Sequence, residues 1–339
     1  MNIYFVGGED SSFINTGGYT VTTSTSYYRS GYARCAVGLN SGSNLAEYSC
    51  TPVLGTLTSF WSHAYITTNG SVWNNNYNLM DFLDSSGLPR ISIRIAGTQQ
   101  LKISTCNSAG TYTDLVSSAV GAFNFLQNTP LPLDVFCNYS TSGQVQVYWN
   151  GSLIADTGTN VNVTTNSVTS LAQVRFQSTG GYSNNTYWSE FMVADTSTLG
   201  IAIVTLAPAA AGNTQSWTPS TLANINKTTA SDSTFISTPS ANVLSEWATS
   251  TPGPSGTYNV IAMAIEARVA AGATGPQHME WVVRSGGADY TQGSVALSTG
   301  FQTYAAPNGS VWYTNPATSA AWTLGAFGSG FNIGIESLA

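Results

Sequence analysis

Hydrophobic and polar positions alternate with a period of two in one segment after another along the chain, and no segment holds a helical stripe over three turns. Ile91, Ile93 and Ile95 share one face of a predicted strand, with Ser92 and Arg94 on the other. Ala96-Gly97-Thr98 reads as a turn, and Leu101-Lys102-Ile103-Ser104 alternates again. The two runs predict a hairpin with Arg94 and Lys102 on its outer face. Leu131, Leu133, Val135 and Cys137 alternate with Pro132, Asp134 and Phe136. Gln144–Trp149 alternates into Asn150-Gly151, a dipeptide that tolerates the positive φ angles of a type I′ turn, and Ser152-Leu153-Ile154 returns from it. Val174-Arg175-Phe176 and Trp188–Asp195 predict two further strands.

The pattern breaks near Leu199-Gly200, and the small, Pro- and Gly-bearing stretch Leu206–Asn213 suits a connector. Beyond it, Val260–Val269, Met279–Arg284, Val295–Leu297, Trp312-Tyr313, Ala320–Leu324 and Phe331–Ile335 read as a second set of strands. The fold class expected is therefore all-β, as two β-sandwich domains, residues 1–202 and 203–339. No repeat of about 20–50 residues and no heptad run appears, so no solenoid or coiled-coil stalk is expected.

Composition narrows the function. Hydrophobic residues make up 42% of the 339, enough for a core. Charged residues make up only 7%, against roughly 25% in ordinary soluble proteins. Hydroxyl and amide side chains must carry solubility, and a surface with so few charges loses little when it packs against identical neighbours. Individual charges are spread singly along both halves of the sequence. A net charge of −7 with 9 Lys+Arg and no basic stripe argues against nucleic acid. No apolar run approaches the roughly 20 residues of a membrane span. Met1–Asp10 lacks the basic start and long apolar core of a signal peptide, so none is expected. Cys35, Cys50, Cys106 and Cys137 form no C-x-x-C pair. Buried free thiols are expected, with a Cys35–Cys50 bridge as the alternative.

Catalytic chemistry finds little purchase. His63 sits in a strand-like aromatic run and reads as a histidine satisfied within a sheet, while His278 follows Gly275-Pro276-Gln277 and reads as a turn cap. No G-x-S-x-G elbow surrounds a serine. No E-x-D pair marks a glycosidase strand, and Glu190 and Asp195 would face opposite sides of a regular strand. Asp81 and Asp84 fall in a turn-like stretch, where capping or Ca²⁺ ligation are the alternatives. No catalytic residues, no metal ligands and no cofactor are expected. Two runs interleave aromatics with asparagine: Trp73–Asn78 and Tyr182–Trp188. Sugars are held by ring faces with nearby amides, so Trp73, Asn75, Tyr77, Tyr182, Asn184 and Tyr187 are the candidate glycan contacts. The alternative is that Trp73 and Trp188 are core residues beside plain loops.

The first ~200 residues resemble the concanavalin-A-like, laminin-G-like jelly roll, through the Val145–Ile154 hairpin with its Tyr148-Trp149-Asn150-Gly151 and the strand Trp188–Asp195. The whole chain is similar to tailed-bacteriophage virion proteins in Val6–Asp10, Tyr187–Glu190, Thr205–Asn213 and Trp312–Thr318. The first likeness implies glycan binding at one rim, often with Ca²⁺, although this chain shows no clear acidic ligand set. The second implies a non-enzymatic structural protein made in the host cytoplasm and placed on the particle surface, as a capsid decoration or a tail-associated piece. Its partners would be other virion proteins and copies of itself, as a trimer. The alternative function is an adhesin that recognises host surface polysaccharide.

Overall fold

Alternating residues build sheets that are apolar on one side, and such sheets are stable only when those sides meet. The computed structural model describes residues 1–9, 12–13, 22–39, 48–70, 77–97, 99–124, 127–177, 185–229, 231–253, 257–305 and 310–339. The chain divides into two compact units, Met1–Ile203 and Val204–Ala339.

In the first unit the strands are β1 (Ile3–Gly7), β2 (Thr22–Ser24), β3 (Ala36–Leu39), β4 (Tyr48–Cys50), β5 (Ser59–Thr68), β6 (Asn78–Leu83), β7 (Pro89–Ile95), β8 (Leu101–Cys106), β9 (Tyr112–Ser117), β10 (Leu131–Asn138), β11 (Gln144–Trp149), β12 (Ser152–Asp156), β13 (Gln173–Gln177) and β14 (Thr186–Ala194). One sheet runs β12-β11-β10-β5-β14-β3-β2, with β1 also on β14, and the other runs β4-β13-β6-β7-β8-β9. The two inner faces share one core. Phe60 of β5 meets Phe82 of β6 edge-on at 5.0 Å, and Phe176 of β13 meets Trp188 of β14 at 5.2 Å. Each such buried ring contributes about 1.5–3 kcal/mol. This is an antiparallel β-sandwich of two sheets.

Local readings of the sequence carry through. Arg94 pairs with Lys102 across the β7–β8 hairpin. Asn150 and Gly151 take φ of 48° and 77°, as the type I′ turn between β11 and β12 requires. All four cysteines are buried with free thiols. One reading fails: Asp81 lies inside β6 rather than in a turn, and only Asp84 caps one, accepting from the backbone N–H groups of Ser86 at 2.8 Å and Leu88 at 3.1 Å. The apolar positions Met80 and Phe82 on either side of Asp81 continue the strand's inner face, and that pattern decides the local structure.

In the second unit the strands are β15 (Pro208–Gln215), β16 (Val243–Thr249), β17 (Met263–Ala264), β18 (Ala267–Val269), β19 (His278–Ser285), β20 (Ala288–Ala296), β21 (Gln302–Tyr304), β22 (Val311–Trp312) and β23 (Asn332–Leu338). A five-stranded sheet, β15-β16-β23-β19-β20, packs its apolar face against the two-stranded ladders β17-β22 and β18-β21. Four expectations change here. Ala320–Leu324 is no strand: Trp322 makes a single bridge to Val260, and Leu324 opens a 3₁₀ turn, Leu324–Phe327. Most of the expected connector is strand β15, whose small residues fit close to β16: a Cβ on Gly212 would sit 2.6 Å from the Glu246 carbonyl oxygen. The run Val260–Val269 is two short strands rather than one long one, because its partner switches from β22 to β21. His278 opens β19, and its Nδ1 lies 2.8 Å from the carbonyl oxygen of Ala339.

Candidate functional site

Outer faces decide what the first unit can touch. On the six-stranded sheet, register lines up Cys50, Arg175, Asp81, Ser92, Ser104 and Asp114 in one row across every strand. Asp81, Asp114 and Arg175, far apart in sequence, are brought into this row because cross-strand pairing joins distant positions of the chain. The row is internally satisfied. Asp81 accepts from Asn78 Nδ2 at 2.9 Å, Ser92 Oγ at 2.6 Å, Arg175 Nε at 3.0 Å and also from Gln177. Asp114 accepts from Lys102 Nζ at 2.8 Å and Ser104 Oγ at 2.6 Å. Arg94 lies over the Tyr112 ring at 4.1 Å. Asp81, Ser92 and Ser104 are wholly buried, so this network holds the sheet together rather than presenting groups to a ligand.

The outer face of the eight-stranded sheet is different. Its register aligns Trp61, Phe136, Gln146 and Asp156 across β5, β10, β11 and β12, and sets His63, Asp134, Tyr148 and Leu153 in the next row. Trp61, Phe136 and Tyr148 point outward because their neighbours Phe60, Val135 and Val147 point into the core. The three rings cluster: Trp61 lies 5.3 Å from Phe136 and 5.6 Å from Tyr148, each tilted by less than 40°. All three are half-buried, and Leu153 beside them is 47% exposed.

A polar ladder borders the rings. Tyr148 O–H donates to Gln146 Oε1 at 3.1 Å, and Gln146 Nε2 donates to Asp156 Oδ2 at 2.9 Å. Gln144 Nε2 donates to Asp156 Oδ1 at 2.9 Å, as does the Gly158 N–H at 2.8 Å. Burial alone would raise the Asp156 pKa, but the donors Gln144, Gln146 and Gly158 outweigh it and hold the carboxyl below its ordinary range. The side-chain amides and the carboxylate are thus fixed in place beside an aromatic surface.

The other end of the same face is closed. Asp134 Oδ1 lies 2.7 Å from His63 Nδ1 and accepts from Thr198 Oγ1 at 2.6 Å. Glu190 sits at a bulge in β14, with φ of 55°, and its carboxylate takes Arg29 Nε at 2.9 Å and the Ile203 N–H at 3.2 Å. The bulge breaks the regular alternation on which the opposite-sides reading of Glu190 and Asp195 rested. Burial pushes the Glu190 carboxyl up, against the pull of Arg29. Arg29 also lies over the rings of Tyr32 at 3.4 Å and Tyr65 at 4.0 Å, and burial carries the Tyr65 phenol up to about 12. His63 is a sheet histidine as read, but its buried Nε2 meets no hydrogen-bond partner among the described residues.

The glycan contacts predicted from sequence fare unevenly. Trp73, Asn75, Tyr182 and Asn184 lie outside the described residues. Tyr77 is half-buried just before β6. Tyr187 is 6% exposed, stacked on Tyr27 at 4.1 Å, with its hydroxyl 3.3 Å from Asn185 Nδ2, so it is not an open platform. Trp188 is a core residue. Asn185 of the second run is held from outside the first run, its N–H donating to Asn69 Oδ1 at 2.9 Å. Trp61, Phe136, Gln146, Tyr148 and Asp156 were not among the predicted contacts. Their signal was available: a large ring on the outward phase of a strand is unusual unless something covers or uses it.

No known protein family matches the chain, and no curated protein matches it in sequence. Several solved structures align with more than half of the chain. An endo-β-1,4-glucuronan lyase from the fungus Trichoderma reesei aligns at 13% identity and a TM-score of 0.43, over 59% of this chain and 98% of its own. A conserved carbohydrate esterase from the Shiga toxin-encoding bacteriophage phi24B aligns at 12% and 0.39, over 57% and 99%. A carbohydrate-binding module from Bacillus subtilis aligns at 9% and 0.35, over 54% and 96%.

Proposed function

We propose that this chain binds carbohydrate through the outer face of its eight-stranded sheet. The observation that carries the reading is the Trp61–Phe136–Tyr148 cluster set against the fixed Gln144–Gln146–Asp156 ladder. A sugar ring offers a C–H face for the aromatics and hydroxyls that both donate and accept. Those hydroxyls suit amides and a carboxylate whose positions are already set, because an ordered site loses less freedom on binding. The reading is of a binding protein without a catalytic step: Asp134 is committed to His63 and Thr198, and Glu190 to Arg29 and Ile203. A glycan array of bacterial surface polysaccharides tests it. Hits with the native chain that Trp61→Ala weakens roughly tenfold or more are expected. An array without hits, or hits untouched by Trp61→Ala, would refute it.

A particle-surface role is the finer part of the proposal. The chain would be a structural component of a phage virion, a capsid decoration or tail-associated piece that self-associates as a trimer. The low charge and the likeness of Thr205–Asn213 and Trp312–Thr318 to virion proteins support this reading. Mass spectrometry of purified particles should find the chain in stoichiometric amount, and particles without it would end the idea.

A further inference from the structure

A cleft of about 600 Å³ lies in the second unit between the edge strand β20 and the segment that starts with β22. We propose that this cleft is a second saccharide site, one that takes an uncharged oligosaccharide. It stands on residues of the second unit alone and goes beyond the face proposed above.

The fold sets the cleft's shape. Gln292 Nε2 on one wall donates to the Val311 carbonyl on the other at 2.8 Å. Ser285 Oγ donates to the buried Asn315 Oδ1 at 3.0 Å, and Asn315 Oδ1 also accepts the Ala317 N–H at 2.9 Å. Trp322 Nε1 donates to the Trp312 carbonyl at 2.9 Å and fixes β22 from behind. Both walls are therefore held by hydrogen bonds within the protein, and the volume falls within the roughly 300–1,000 Å³ of small-ligand sites.

The lining selects the ligand. Tyr290 and Tyr313 supply ring surface, Tyr313 being 40% exposed, while Trp312 is 5% exposed and belongs to the core. Thr291 and Thr314 add hydroxyls that donate and accept. Asp289 is the charged member of the lining, and Arg284 already neutralises it through an Nη1–Oδ1 contact of 2.5 Å. Among the described residues no Lys, Arg or His lines the cleft, so an anionic ligand would meet only a carboxylate. A hydrocarbon would leave the Thr291 and Thr314 hydroxyls without partners. A neutral sugar matches both parts of the lining.

The test uses the full chain carrying Trp61→Ala, which removes the first face. It is titrated by calorimetry with neutral oligosaccharides of glucose, galactose, mannose and N-acetylglucosamine, and the complex is followed by hydrogen exchange. At least one sugar should bind once per chain and protect residues 289–292 and 311–314. Tyr313→Ala, and separately Thr291→Lys at an exposed position, should each weaken it roughly tenfold or more without moving Tm. The proposal is overturned if no sugar binds, if these segments stay unprotected, or if both variants bind as before. Failure of the first-unit reading shows separately, as identical titrations of the native and Trp61→Ala chains.

Discussion

Asp134 shows how one side chain can organise a face without serving a ligand. Its Oδ1 holds His63 Nδ1 and Thr198 Oγ1 together, and all three residues are buried. Replacing it by alanine leaves a ring nitrogen and a hydroxyl inside the protein without partners, at about 1–3 kcal/mol each. Asp134→Ala should therefore lower the unfolding free energy of the first unit by about 3 kcal/mol in urea denaturation. A loss below about 1 kcal/mol would mean that His63 and Thr198 find other partners. Trp61, two positions before His63 on the same strand, has the opposite character: it is half-buried against rings rather than locked by hydrogen bonds. That contrast separates the part of the face that holds the fold from the part free to bind.

Between elements, register carries information that spacing along the chain does not. Glu246 of β16 lies over Gly334 of β23, where an added Cβ would come within 3.0 Å of its Cγ, so a glycine is needed for the side chain to lie flat. The side chain is wholly buried. Burial first, then the charge of Asp289, raises its pKa from 4.5 to about 7, with Arg284 pulling the other way. The cross-strand neighbours Glu280 and Glu336 add further negative charge to that face, and burial with Glu280 raises Glu336 as well. A carboxyl raised in the folded state favours folding below its unfolded pKa, and that support is lost as pH rises through the folded value. The second unit should accordingly lose stability from about pH 4.5 to about pH 7. Glu246→Gln should flatten this slope in denaturation series at several pH values; an unchanged slope would place the effect elsewhere. None of this was legible in sequence. Strong alternation made β7, β8, β10 and β11 readable, and Asn150-Gly151 fixed one turn. Pro208–Gln215 has no alternation, and it became a strand because Ala and Gly let its backbone approach β16. For the proposed binding face, Phe136, Gln146 and Tyr148 could each be read as outward-facing. Only the pairing of β5 with β10 and of β10 with β11 brings Trp61 beside them.

For the molecule as a whole, the low charge takes on a more specific sense. Seven of its charged groups, Asp81, Asp84, Arg90, Arg94, Lys102, Asp114 and Arg175, are engaged with one another or with neighbours on the six-stranded sheet. If both proposed saccharide sites bind and the chain is repeated on a particle as proposed, weak sites would sum to strong attachment without any one being tight. The most direct test of the central claim is hydrogen-exchange mass spectrometry of the full chain with and without oligosaccharide released from a polysaccharide it binds. Slowed exchange should appear in residues 59–65, 132–138 and 144–156. Slowing confined to other segments, or none at saturating sugar, would contradict the account.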